Sequence, residues 1–315
     1  MHPIDFSKKM LLTVVIPVYN RANIVPRTLK SIERQSVRDF SVILVDNNST
    51  DGTLSVLEKW RDNEARAIGI NVRVISELKP GSTAARNAGL RLVETPYTMF
   101  FDSDDEMLPN HIADFIEAIK ANPSVDLLGR PALSIYPDGR KRIMRFTTSS
   151  MLFNHIFHSI LGTLRYVAKT ELFRRVGGWN ESLPAWNDLE FGVRLLLANP
   201  RAVKVNGEPS VLLYVHNESI TGTDFFHNSC AHQKSLNKME EHLRTAGNNT
   251  AITWINTRRV ILAARHVIEG HPTEGKDLLQ RTITASSAPF RLRLLYMQHR
   301  LMGRGTAIFA KLLFR

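Results

Sequence analysis

The chain has 315 residues, enough for one large domain or for a domain with a helical appendage. Its hydrophobic content of 43% is that of a soluble globular protein, and the single Cys230 excludes an intrachain disulfide framework and a zinc site built from cysteines, which favours a reducing compartment and an inert thiol. A net charge of +11 attracts anions, whether nucleic acid, an anionic membrane surface or a phosphorylated substrate, and composition does not choose among them.

No stretch reaches the roughly eighteen uninterrupted apolar residues of a membrane span. From Met1 to Lys9 the charges Asp5, Lys8 and Lys9 precede only the short run Met10 to Leu12, which is not the order of a signal peptide. A cytoplasmic protein is therefore expected.

Leu11 to Val18 is apolar and β-branched and stops at Pro17-Val18-Tyr19-Asn20, so it reads as a buried parallel strand entering a loop. Ile24, Val25, Leu29 and Ile32 then recur at helical spacing, and Pro26 is tolerated only in the first turn, which starts the helix near Asn23. Phe40 to Val45 is the second strand. Its tail, Asp46 to Gly52, is a polar turn with Ser49, Thr50 or Asp51 available to cap a helix over Leu54 to Trp60. Val72 to Ile75 predicts a third strand, and Lys79-Pro80-Gly81-Ser82 opens a helix whose Ala84, Ala85, Ala88 and Gly89 allow close approach to a neighbour. Tyr97 to Phe101 is the fourth strand. Strands alternating with helices at this pitch predict an α/β fold with a doubly wound, mainly parallel sheet. The first strand lacks both a Gly-rich dinucleotide fingerprint and a Walker loop, which disfavours those two chemistries.

The fourth strand ends in Asp102, Asp104, Asp105 and Glu106, four carboxylates within five positions. Like charges raise one another's pKa unless a cation offsets them, and hard ions such as Mg2+ or Mn2+ take oxygen ligands of this kind. Ligand crevices of open α/β sheets lie outside the carboxyl ends of the strands, which suits a phosphate-bearing ligand held through such an ion. The alternative is a polar loop in which Asp104 or Asp105 serves the N-terminus of the helix at Pro109.

After Val125 the pattern loosens into short strands and turns, including Tyr136-Pro137-Asp138-Gly139 and Gly177-Gly178-Trp179-Asn180-Glu181. An amphipathic helix begins at Trp186-Asn187-Asp188-Leu189-Glu190, and Val211 to His216 reads as the last strand. Beyond about Thr223 helical periodicity takes over in Phe225 to Leu243, Ile252 to Ile268 and Asp277 to Ile283.

Five strings stand in the order and spacing of the family 2 glycosyltransferases of GT-A fold: Val15-Ile16-Pro17-Val18-Tyr19-Asn20, Val45-Asp46 through Thr53, Ala85-Arg86-Asn87-Ala88-Gly89, Phe101-Asp102-Ser103-Asp104-Asp105, and Asn187-Asp188. The resemblance covers roughly Leu11 to Thr221. It implies that Pro17, Val18, Tyr19 and Asn20 line the nucleotide base, that Asp46 accepts from the base imide, and that Arg86 lies on the diphosphate side. Asp102, Ser103 and Asp104 resemble the family's DxD motif, with Asp102 near the ribose and Asp104 holding Mn2+ or Mg2+. Asp188 falls where inverting members keep the base that takes the acceptor's proton. The residue before it is usually Glu and here is Asn187, which puts acceptor positioning in doubt. His216 resembles a late histidine near the metal diphosphate, and a structural role is its alternative. Trp179 and Trp186 stand on the acceptor side, where each would pack on a sugar ring or serve as core.

The implied activity is single displacement with inversion from a nucleotide-diphosphate sugar, expected to be UDP-linked, to an acceptor hydroxyl in cell-surface polysaccharide or glycolipid synthesis. The implied organisation is a GT-A catalytic domain over 1-222, with a nucleotide-sugar half to about 105 and an acceptor half from 106, followed by a helical region over 223-315. Partners are the donor and a saccharide or lipid-linked acceptor, with no nucleic acid expected. Pro289 to Arg315 carries Arg291, Arg293, Arg300, Arg304, Lys311 and Arg315 among apolar residues and no acid, as in helices on anionic membranes; a terminal helix packed on the domain is the other reading. A nucleotidyltransferase and a basic nucleic-acid-binding module are the competing functions. The first lacks a Gly-rich, basic loop after the first strand, and the second lacks a recognition motif.

Overall fold

The computed structural model describes residues 10–215 and 224–314. His216 lies outside the described residues. The chain groups into two compact units, the first formed by described residues 10–149, 160–181 and 198–215 and the second by 150–159, 182–197 and 224–314.

The first unit is built on a seven-stranded sheet. In chain order it contains β1 (Leu12–Val18), α1 (Val25–Glu33), β2 (Phe40–Asp46), α2 (Thr53–Trp60), β3 (Asn71–Ser76), α3 (Ser82–Arg91) and β4 (Tyr97–Phe100). There follow β5 (Glu106–Met107), α4 (His111–Ala121), β6 (Leu127–Gly129), β7 (Ala132–Ile135) and β8 (Lys141–Met144). Helix α5 (Met151–His158) belongs to the second unit, after which the first resumes with β9 (Tyr166–Lys169) and α6 (Thr170–Arg175). Next come α7 (Asn187–Leu197) of the second unit, then β10 (Ala202–Lys204) and β11 (Val211–Tyr214) of the first.

The sheet order is β10-β6-β9-β4-β1-β2-β3. Neighbours run parallel except β9, which is antiparallel to both β4 and β6. All seven residues of β1 are buried, as a strand covered on both faces requires, and its apolar side chains join those of β2, α1 and α4 in one core. A smaller sheet, β5-β11-β7-β8, adjoins the carboxyl end of β4 in sequence. This is the α/β, parallel-dominated architecture that the alternating pattern predicts.

Two local devices differ from the sequence reading. The N-cap of α2 is Gly52 at φ 87°, while Asp51 accepts the Thr53 amide at 3.0 Å from one position earlier. Helix α4 starts at His111 after Asn110, so neither Asp104 nor Asp105 caps it. The small residues of α3 do what their size suggests. A Cβ on Gly89 would stand 2.4 Å from a Val15 methyl carbon, so α3 lies on β1 at a distance only glycine permits.

The second unit is helical among its described residues, with α8 (Ser229–Thr245), α9 (Asn249–Ile268), α10 (Pro272–Thr284), α11 (Pro289–Met302) and α12 (Thr306–Leu313) following α5 and α7. Helix α9 is its axis. It packs against α5, α8, α10 and α11, and Asn248 caps it by accepting the Ala251 amide at 3.0 Å. Among the described residues no helix is long and apolar enough to cross a membrane.

Candidate active site

The parallel order delivers the carboxyl ends of β1, β2 and β4 to one edge of the sheet, and the loops leaving them are tied together. After β1, Asn20 takes the left-handed conformation at φ 49°. Its amide donates to Ser49 Oγ at 3.0 Å and its side-chain oxygen accepts from the Thr50 amide at 2.9 Å. The amides of Arg21 and Ala22 bind Thr53 Oγ1 and Asp51 Oδ2 at 2.9 and 3.0 Å. The loop after β1 is therefore held by the turn after β2, and Tyr19 is left 58% exposed between its neighbours. Pro17 and Val18 remain strand residues, and both are buried.

Asp46 ends β2 with its carboxylate buried. Oδ2 accepts from the Ser49 amide at 3.2 Å, and Oδ1 has no hydrogen-bond partner among the described residues. A buried carboxylate oxygen without a donor is costly. Beside it Asn47, to which the sequence assigns no role, locks the approach to α3. Its amide nitrogen donates to the carbonyls of Glu77 and Lys79 at 2.9 and 2.7 Å, and its oxygen accepts from the Gly81 amide at 2.8 Å.

At the tip of β4, Asp102 accepts from Arg86 Nη2 at 2.8 Å. Arg86 is almost wholly buried on α3, with its guanidinium 4.6 Å from the ring centroid of Trp179. Trp179 is itself buried and meets Phe100 edge to face, so it backs the arginine from within the core. Asn87 holds the Trp179 backbone at both ends, donating to its carbonyl at 2.9 Å and accepting from its amide at 2.8 Å, and also reaches Glu181 at 2.7 Å. A Cβ at Gly178, where φ is 67°, would stand 2.7 Å from that Asn87 oxygen. Arg86 is thus fixed by packing and not solvated on a helix surface.

Ser103 is buried, and Asp104 is half-buried with its carboxylate 3.9 Å from Arg21 and its carbonyl bound by Arg27. Arg27 also lies 3.8 Å over the ring of Tyr214, so this α1 residue joins the strand tip to β11. Asp105 is buried and accepts the Tyr214 amide at 2.9 Å. Burial pushes its carboxyl well above the usual range, and the charges of Asp102 and Asp104 push it further. Carboxylates are thus crowded at this tip, with Arg86 beside Asp102 and Arg21 near Asp104.

Trp186 and Asp188 belong to the second unit. Trp186 has φ 50°, an unusual value for an aromatic residue, immediately before α7. Its ring is buried against His232, stacked at 4.1 Å, and against Arg258 at 4.4 Å. The tryptophan is part of a packed cluster with Leu189, Val193, Leu236 and Ile255. Burial draws the Arg258 guanidinium down to about 10, opposed by the charge of Asp188. Arg258 also donates to the Ile156 carbonyl at 2.6 Å. Asp188, half-buried on the first turn of α7, is thus accompanied by a positive charge that no spacing in the sequence announces.

Glu190 on the same helix is fully buried. It accepts from Arg194 at 2.7 and 2.8 Å and pairs with His242 at 2.9 Å. Burial alone would raise its pKa, but these hydrogen bonds and the Arg194 charge outweigh that and hold it low.

The sheet order and the Asp-bearing tip of β4 define a GT-A fold. The model of the family described as Glycosyl transferase family 2 matches residues 13–175, and the chain belongs to that family. An uncharacterized glycosyltransferase of Haemophilus influenzae is 27% identical over 223 residues, 68% of each chain. The GalNAc(5)-diNAcBac-PP-undecaprenol beta-1,3-glucosyltransferase of Campylobacter jejuni is 31% identical over 111 residues, so the match spans 35% of this chain and 34% of that enzyme. Among solved structures, S. aureus TarS 1-349 in complex with UDP-GlcNAc superposes with a TM-score of 0.66 at 19% identity, covering 96% of this chain and 89% of that one.

Proposed function

We propose that the chain is an inverting, metal-dependent glycosyltransferase that moves a sugar from a UDP-linked donor to an acceptor hydroxyl in cell-surface polysaccharide or glycolipid synthesis. The observation that carries the reading is the clustering of Asp102, Asp104 and Asp105 at the β4 tip beside Arg86, where burial first and then the charges of Asp102 and Asp104 raise the Asp105 pKa. A cation, and a diphosphate bound through it, would lower the mutual repulsion of carboxylates placed this close.

The donor set is of the right chemistry, since carboxylate oxygens suit Mn2+ or Mg2+. Among the described residues no group of three or more His, Cys, Asp or Glu is disposed to hold an ion. Asp104 would hold it, with His216 as the further ligand that the resemblance implies. The ion would supply positive charge to the leaving diphosphate.

The chain's own residues do the rest. Pro17, Val18, Tyr19 and Asn20 line the base, and Asp46 Oδ1, buried without a donor, accepts its imide. Arg86 and Asp102 hold the ribose and diphosphate side, with Ser103 between the carboxylates. Asp188 takes the acceptor proton as the new bond to the anomeric carbon forms and the bond to the diphosphate oxygen breaks. The UDP-GlcNAc complex of TarS supports the donor class, and the undecaprenol-linked substrate in the name of the Campylobacter relative supports a lipid-linked acceptor.

The test is a panel of nucleotide sugars with and without Mn2+, read by thermal stabilisation and by release of nucleoside diphosphate. A UDP-sugar is expected to stabilise the protein only with the ion, and Asp104→Ala to lose that effect with an unchanged unliganded melting temperature. Indifference to every nucleotide sugar, with salt-dependent nucleic-acid binding in its place, would overturn the reading.

A further inference from the structure

Helix α11 is apolar on two opposite sides. Leu292, Leu295 and Tyr296 are buried in a core cluster with Val260, Ala264, Leu278 and Ile283 of α9 and α10, so this face is fully used by the fold. Phe290, Met297 and Leu301, spaced seven and four residues apart, form a stripe on the other side, and Leu301 is 85% exposed. Helix α12 repeats the arrangement. Ala310 is buried in the same cluster while Ile308 and Leu312, four apart, are exposed. Folding accounts for the inner face only, and an exposed apolar stripe of this length marks an interaction surface.

The charges select the partner. Between residues 289 and 314 stand Arg291, Arg293, Arg300, Arg304 and Lys311, all exposed, and no acidic side chain. Arg293, Arg300 and Lys311 each follow an exposed apolar residue by three positions, which puts each cation beside Phe290, Met297 or Ile308 on the helix surface. Apolar side chains flanked by long basic ones are what an anionic lipid surface binds, because the stems sink with the apolar row while the cations stay at the phosphates. A second copy of the chain is disfavoured, since two such surfaces would oppose like charges without a counter-charge.

We infer that the outer face of α11 and α12 is a docking surface for an anionic bilayer, lying on the lipid and not inserted across it. The inference draws its purpose from the lipid-linked acceptor in the proposed function. Its test reads lipid binding without transfer, so either can fail alone.

The experiment is flotation of the full chain with phosphatidylglycerol vesicles and with phosphatidylcholine vesicles. Binding is expected to the first, weakened by salt, and not to the second. Phe290→Ser with Leu301→Ser, and separately Arg293→Glu with Arg300→Glu, should each lower the bound fraction about tenfold or more with an unchanged melting temperature. Truncation is a poor probe, because it removes Leu292, Leu295 and Tyr296 from the core. Failure to bind phosphatidylglycerol vesicles at low salt, or equal binding by both double variants, overturns the inference. So does a concentration-dependent dimer that these substitutions abolish in a chain that ignores vesicles.

Discussion

Asp105 at the β4 tip of the first unit and Glu190 on α7 of the second are both carboxylates taken out of water, and their pKa values move in opposite directions. Asp105 has carboxylate neighbours, Asp102 and Asp104, whose charges add to the effect of burial. Glu190 has Arg194 and His242, whose hydrogen bonds overcome it. Burial raises both, and only at Glu190 do the partners reverse it. A paired charge fastens helices together. Carboxylates crowded together raise one another's pKa even with Arg86 beside Asp102, and perturbed groups of this kind cluster at functional sites.

The sharpest break in that comparison is Glu190→Gln. It removes the carboxylate bound by Arg194, only 13% exposed, and by His242, and breaking a buried pair from one side costs about 3 kcal/mol or more. Chemical denaturation at neutral pH should show that loss. Because the folded pKa of Glu190 is depressed, its contribution is present above the ordinary carboxylate range and lost as pH falls through the folded value. The variant's stability should therefore fall less steeply on acidification than the wild type's. Equal stabilities at neutral pH would show that the pair does no structural work.

Next in size is Asp188→Asn, two positions earlier on α7. The amide keeps the shape and removes the basicity, so turnover with the true acceptor should fall about 10²-fold, while donor affinity is unchanged. A near wild-type rate would remove Asp188 as the base. Glu190, enclosed by Arg194 and His242, would be a poor replacement.

The smallest effect has the opposite sign. Asp105→Asn keeps an oxygen for the Tyr214 amide and removes the charge that burial and its neighbours oppose, so it should stabilise the unliganded protein by roughly 1 kcal/mol above neutral pH. The raised pKa means that stability is complete below the ordinary carboxylate range and declines as pH rises through the folded value. Melting temperatures across that range should show the decline in wild type and its absence in the variant. A destabilised variant would mean that Asp105 is held charged by a partner.

The sheet and the strings at its edge are legible in the order of residues. The runs of β1, β2 and β4 are continuous and apolar because both faces of a parallel sheet are covered, and their polar tails mark where each strand stops. The clustering of Asp102, Asp104 and Asp105 is legible for the same reason, since neighbours in sequence at a strand tip remain neighbours in space. Which side chains become partners follows from packing. Arg27 meets Asp104 across 77 positions, Asn87 meets Trp179 across 92, and Arg258 meets the Ile156 carbonyl across 102. No periodicity encodes such pairs, because they depend on how helices pack and not on the spacing within any one of them. The same holds for the tail, where composition offered a membrane face or a packed helix. Only the packing of α11 against α9 and α10 shows that its inner apolar side is consumed by the core while the outer one is left over.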